Sequence, residues 1–143
     1  MKRQEWLLVL LHGGAAADGP LDRVRVQKGL FVIGDALDPS PYYAFQPYHY
    51  GPFDATVYAD AELLVAGGLL RETKHRGYAA YELTPAGEKS AGTIEDQIDR
   101  PKLEFVRGVR EWIQRVDFNT MLRAIYAKWP SMRAQSRFVD QDS

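Results

Sequence analysis

With 143 residues, 45% of them apolar and 26% charged, the chain has material for one domain with a real core and lies outside the disordered and fibrous classes. A formal net charge of −1 gives no general attraction to polyanions, so nucleic-acid binding would need local basic patches. The lack of cysteine excludes disulfides, thiolate metal sites and a cysteine nucleophile, and suits a reducing cytoplasm.

The apolar run Trp6 to Leu11 is too short for a membrane span or a signal-peptide core. The expectation is therefore a soluble, untargeted, cytoplasmic chain without membrane contact. A first helix is predicted over Arg3 to His12, with Trp6, Leu7, Leu10 and Leu11 turned inward and Gly13-Gly14 ending it. After a linker from Ala15 to Pro20, Asp22 reads as the N-cap of a second helix whose core stripe is Val26, Leu30, Ile33 and Leu37. Its outer side is read as Arg23, Arg25 and Lys28. Gly29 and Gly34 weaken that helix, which implies another backbone approaching closely there.

Pro39-Ser40-Pro41 breaks the helix, and Tyr42 to Tyr50 follows as an edge strand or extended loop with Pro47 in its middle. The centre of the chain is Tyr50-Gly51-Pro52-Phe53. Gly51 permits an unusual backbone angle, Pro52 suits the first turn of a helix, and Phe53, Val57, Ala61 and Leu64 recur at helical spacing. That helix, read from Pro52 to Ala66, closes at Gly67-Gly68. A hairpin follows, with strands at 69–73 and 78–84 and its tip at Lys74-His75-Arg76-Gly77. Thr84-Pro85 is an N-cap followed by proline at the first helical position, so a new helix starts there and runs to about Ile98.

Two further helices are predicted, near 101–116 with Leu103, Val106, Val109, Trp112, Ile113 and Val116 as its apolar face, and near 119–128 with Phe118, Leu122, Ile125 and Trp129 in step. Faces this apolar must be buried, on the body or against a second copy in a homodimer. From Ser131 the chain is polar and reads as a frayed tail. The fold class is α+β, mostly helical: a winged helix-turn-helix over 1–88, a C-terminal helical extension over 89–130 and a flexible tail over 131–143.

Two stretches resemble known families. Tyr81-Glu82-Leu83-Thr84-Pro85-Ala86-Gly87-Glu88 is similar to the wing-to-helix exit of bacterial winged-helix regulators such as the MarR and PadR types. Val26-Gln27-Lys28-Gly29-Leu30-Phe31, Phe45, Tyr48-His49-Tyr50-Gly51-Pro52-Phe53, Val57-Tyr58 and the stretch 63–70 together resemble the Panacea antitoxin domain and its bacterial relatives. Ile125-Tyr126, Trp129-Pro130 and Ser136 resemble the C-terminal helix of some relatives. The resemblance implies a non-enzymatic domain that neutralises a toxin or acts in defence-related regulation through protein contacts.

The helix after Pro52 sits where a winged protein has its recognition helix, yet it carries Asp54, Asp60 and Glu62 and no Lys or Arg. Groove reading relies on cationic and amide donors, and carboxylates are repelled by phosphates. The protein-binding candidates are therefore Tyr48, Tyr50, Pro52, Phe53, Asp54 and Tyr58, with a toxin-like or effector polypeptide as partner. Tyrosines are strong interface anchors, although about half of this cluster is expected to pack inward. The alternative is a DNA-binding regulator using Arg23, Arg25 and Lys28 with Lys74, His75 and Arg76 at the wing tip. Charged tips and helix faces are also ordinary solvated surface.

Catalysis draws little support. His12, His49 and His75 have no carboxylate at metal-ligand spacing, Asp35 and Asp38 lack a predicted cleft, and neither Gly-Gly pair is followed by the Lys-Ser/Thr of a phosphate loop. No enzyme activity, cofactor or metal is expected.

Overall fold

A computed structural model describes residues 1–13 and 19–138. The expected linker after Gly13 and the last five residues of the expected tail lie largely outside them. The described chain is α+β, with six helices and two small antiparallel sheets.

Helix α1 (Arg3–His12) is the central element. All six residues from Trp6 to Leu11 are buried, rather than one stripe of four, because the helix is covered on every side. It packs against α2 (Arg23–Leu37), α3 (Ala55–Ala66), α4 (Pro85–Glu95), α5 (Arg100–Arg115) and β5 (Tyr78–Leu83). Gly13, at φ 60°, closes it by donating to Val9 O at 3.2 Å. Beyond that end sits Arg110 of α5, 1% exposed, whose guanidinium donates to the carbonyls of Leu10, Leu11 and Gly19. A buried cation at a helix C-terminus meets both the orphan carbonyls and the negative end of the dipole.

Strand β1 (Leu21–Asp22) pairs with β5, which pairs with β4 (Leu70–His75), giving the sheet order β1-β5-β4. The β4–β5 turn is Arg76-Gly77, both at positive φ (53° and 85°), the conformation whose twist matches a two-residue hairpin. Asp22 ends β1 and caps α2 by accepting from Arg25 N at 2.9 Å. Thr84 caps α4 through Gly87 N at 3.0 Å, with Pro85 in the first turn.

The glycines of α2 admit side chains rather than a neighbouring backbone. A Cβ on Gly29 would lie 2.6 Å from Ile113 Cδ1 and 3.0 Å from Leu10 Cδ2, and one on Gly34 would strike the Tyr42 ring. Helices α5 and α6 (Phe118–Lys128) spend their apolar faces inside the chain. Val106, Val109 and Ile113 pack toward α1 and α2, and Met121, Leu122 and Ile125 are fully buried in the same core. The surfaces that the sequence offers for pairing two copies are thus largely covered within one.

The segment after α6 is ordered against the body as far as it is described. A 3-10 turn at Pro130–Arg133 packs on β2 (Gln46–Tyr48), and Arg137 N donates to His49 O at 2.7 Å. Tyr126 Oη donates to Ser136 Oγ at 2.7 Å, and Phe138 lies beside the Tyr126 ring. Of the tail expected from Ser131, the described part thus lies against the body as far as Phe138; composition reports solvation, and these bonds are tertiary.

Candidate functional site

The corner at Tyr50-Gly51-Pro52-Phe53 is a strand turn, not a helix start. Residues Gly51–Phe53 form β3 and pair with β2 in the register Gln46↔Phe53, Pro47↔Pro52 and Tyr48↔Gly51. Helix α3 begins later, at Ala55, with Asp54 as N-cap. The sequence expectation that Pro52 opens the helix is corrected. Proline fits an edge strand for the same reason that it fits a first helical turn, since neither asks it to donate.

Two adjacent side chains of α2 hold this corner. Gln27, 0% exposed, makes a two-way pair with Asp54, donating Nε2–H to its carbonyl at 2.9 Å and accepting its N–H at 3.0 Å. Lys28 donates Nζ–H to Pro52 O at 3.1 Å, and its stem runs under Gly51. Gly51 has φ 92°, which favours glycine, and a Cβ there would lie close to Lys28 Cε (3.1 Å) and Leu122 Cδ2 (3.2 Å), so the site is also tight. Burial lowers the Lys28 amine to about 7, against a smaller opposing pull from Asp22. Asp54 is fully engaged as well: Oδ1 accepts Thr56 N at 2.9 Å and Oδ2 accepts Ala44 N at 2.8 Å. Pro52 is buried. Pro52 and Asp54, placed among the binding residues by sequence, thus shape the corner from within.

The aromatic residues divide by direction. Tyr42 and Tyr43 turn inward, Tyr42 donating to Leu30 O and Tyr43 to Asp60 Oδ2 at 2.8 Å. Burial raises both phenols, and for Tyr43 the bond to Asp60 raises it further. Tyr48 and Tyr50 are 46% and 45% exposed. Tyr48 lies nearly parallel to His49 (4.2 Å, 15°) and to Phe53 (4.7 Å, 25°), and Phe53 meets Tyr58 edge-on at 5.5 Å. The Arg23 guanidinium then covers Tyr58 at 3.9 Å. Tyr48, Phe53 and Tyr58 therefore form one ladder from the hairpin onto α3.

Helix α3 itself is less acidic outside than its sequence. Asp60 is 5% exposed and accepts Arg3 Nε at 2.8 Å and Nη2 at 3.2 Å as well as the Tyr43 hydroxyl. Burial pushes its carboxyl up, but the hydrogen bonds from Arg3 and Tyr43 outweigh that and hold it below its ordinary value. Ala55, Ala59, Glu62, Leu63 and Ala66 face out, and Leu63 is 72% exposed. Leu63 was missed in sequence because Leu64 beside it fills the core position; neighbouring helical residues diverge by about 100°, so on a helix covered on one face only, such as α3, one is buried and the other exposed.

The basic candidates do not converge. Arg23 lies on Tyr58; Arg25 pairs with Asp22 at 3.0 Å and donates to the carbonyls of Ile113 and Val116; Lys28 is 3% exposed. The outer cationic face expected on α2 is corrected: Lys28 lies inside and the two arginines serve contacts within the chain. At the hairpin tip Lys74 and Arg76 are exposed and His75 is half-buried. Sequence reasoning also missed a pairing of His12 Nδ1 with Glu95 Oε1 at 2.7 Å, with Arg107 on the other carboxylate oxygen at 3.2 Å. It links α1, α4 and α5, and no local signal reveals it, since the residues lie far apart in sequence. Among the described residues no group of three His, Cys, Asp or Glu side chains is placed to hold a metal, and no helix is long and apolar enough to cross a membrane.

Comparison with protein-family models, curated proteins and solved structures finds no match to this chain.

Proposed function

We propose that this protein is a non-catalytic, cytoplasmic binding module of winged-helix type, antitoxin-like or regulatory, that engages another polypeptide through the hairpin corner and the outward face of α3. The order α2, α3 and then the β4–β5 hairpin supports the winged-helix reading. The observation that carries the function is the outward face of α3, which holds no cation and exposes 72% of Leu63, on the helix that also carries Tyr58, the end of the ladder from Tyr48. An exposed leucine on α3 and exposed tyrosines on the hairpin favour protein contact, where aromatic and apolar anchors supply most of the binding energy. Groove binding would set the same face, including Glu62, against phosphates.

A second reading, binding of duplex DNA, is favoured by Lys74 and Arg76 at the hairpin tip, but α2 supplies no exposed cationic face to join them. One set of measurements separates the two. Polypeptides captured from the source cell by the wild-type chain are compared with those held by Leu63→Asp and by Lys74→Glu/Arg76→Glu, alongside anisotropy with labelled duplex DNA. Loss of a stoichiometric partner with Leu63→Asp alone supports the polypeptide reading. Salt-sensitive duplex binding abolished by the tip variant, with no partner lost from Leu63→Asp, overturns it.

A further inference from the structure

The geometry points to an acidic polypeptide segment as the occupant of the Tyr48–Tyr50 corner, an inference that rests on the polypeptide-binding reading above. From Phe118 to Phe138 the chain carries Arg123, Lys128, Arg133 and Arg137 and no carboxylate, in a protein whose net charge is −1. The fold brings that cationic stretch to the corner. Arg137 N and Ser136 Oγ both donate to His49 O, at 2.7 and 3.4 Å, the Pro130–Arg133 turn packs on β2, and the Phe118 ring meets Tyr50 edge-on at 5.9 Å.

The cationic heads stay outside. Lys128, Arg133 and Arg137 are exposed, and two are steadied over rings, Lys128 over Trp129 at 4.9 Å and Arg133 over Tyr126 at 5.5 Å. Asp117, which borders the stretch, caps α6 through Thr120, and Asp35, brought to it by the fold, accepts Trp129 Nε1 at 3.0 Å. Asp140 and Asp142 lie outside the described residues. Two exposed arginines, Arg133 and Arg137, on the segment that docks at the corner suit a chain of carboxylates, which they attract and to which the phenol hydroxyls can donate.

The Tyr48 ring favours polypeptide over single-stranded nucleic acid. A base needs a free aromatic face on which to stack. Tyr48 has none, because two near-parallel rings at 4.2 and 4.7 Å cannot share a side and so cover both. What Tyr48 presents is its edge and hydroxyl, which hydrogen-bond to carboxylates and carbonyls.

The test uses the full chain and a fluorescein-labelled random copolymer of glutamate and tyrosine, with a labelled lysine–tyrosine copolymer as a separate probe and oligothymidylate as competitor. Wild type is expected to bind the acidic copolymer with affinity that falls as salt is added, and Arg133→Glu/Arg137→Glu is expected to weaken it about tenfold or more. Both side chains are exposed, so the thermal midpoint of that variant should match wild type; Lys128→Glu, on the helix, supplies an independent second reversal. The lysine–tyrosine probe should not bind, and oligothymidylate should not displace the acidic one. Absence of copolymer binding, or affinity unchanged by both reversals, overturns the inference. Binding lost with Tyr50→Ala yet untouched by the reversals overturns it while leaving the polypeptide reading in place. Preferential binding of oligothymidylate overturns both.

Discussion

Lys28 lies 3.1 Å from the carbonyl oxygen of Pro52 with only 3% of its surface exposed, so a lysine in the middle of α2 holds a strand residue 24 positions later. Gln27 beside it clamps the backbone of Asp54 from both sides. Gln27-Lys28 and Tyr50-Gly51-Pro52 therefore meet in space, and their shared physical task is to fix where β3 ends and α3 begins. That sets the angle at which Tyr48, Phe53 and Tyr58 line up.

Burial of Lys28 makes stability depend on pH. Its folded value is about 7, while an unfolded lysine titrates near ~10.4. Between those values the unfolded chain binds a proton that the folded chain has released, so stability rises with pH. Below the folded value both states are protonated and the full cost of the buried charge remains. Lys28→Met removes this dependence. The stability of wild type relative to Lys28→Met is expected to increase by about 1.4 kcal/mol per pH unit across that window, read from urea midpoints at successive pH values. Parallel profiles would refute the assignment.

Gln27→Leu conserves approximate volume but leaves the Asp54 N–H without its partner, while the Asp54 carbonyl still accepts Val57 N at 3.1 Å. An unsatisfied buried backbone group costs about 1–3 kcal/mol, and the expected loss lies in that range. Denaturant unfolding measures the total, and hydrogen exchange at the Asp54 amide should accelerate selectively.

Local chemistry made much of the framework legible. Asp22, Thr84-Pro85 and Gly13 are capping signals that act within a turn of their own helix, and each stands at the end that it marks. Pro52 was ambiguous because a helix N-terminus and an edge strand tolerate it alike; its pairing with Pro47, set by the fold of the hairpin, decides the matter. Lys28 read as outward because lysine is seldom buried. It is inside because α5 and the β2–β3 hairpin both pack on α2, a tertiary circumstance that periodicity along one helix does not encode. For the same reason Asp60 counted as a surface acid until Arg3 and Tyr43 were found against it.

Asp60 predicts a separate response at low pH. Its folded carboxyl lies below the ordinary value, so its stabilising contribution is complete above the unfolded pKa and disappears as pH falls through the folded one. The Arg3 side chain is 39% exposed, which screens the pair and limits its strength. Asp60→Asn should lower the thermal midpoint at neutral pH and show a shallower acid decline than wild type below about pH 4. Equal acid slopes in the two proteins would contradict this.

Two glycines of α4 separate helix propensity from close packing. A Cβ on Gly92 meets nothing within 4 Å, so Gly92→Ala gains helix propensity and should stabilise the fold by up to about 1 kcal/mol. A Cβ on Gly87 would collide with the carbonyl oxygen of Leu69, which is backbone and has no rotamer to retreat into. That oxygen also accepts Thr84 N at 3.1 Å, so displacing it pulls on the link between the start of β4 and the cap of α4. Gly87→Ala is expected to destabilise by about 1–3 kcal/mol or more despite the same propensity gain. Opposite shifts in urea midpoint for two Gly→Ala changes five residues apart would place the close approach of α4 to β4 at Gly87; equal shifts would remove it.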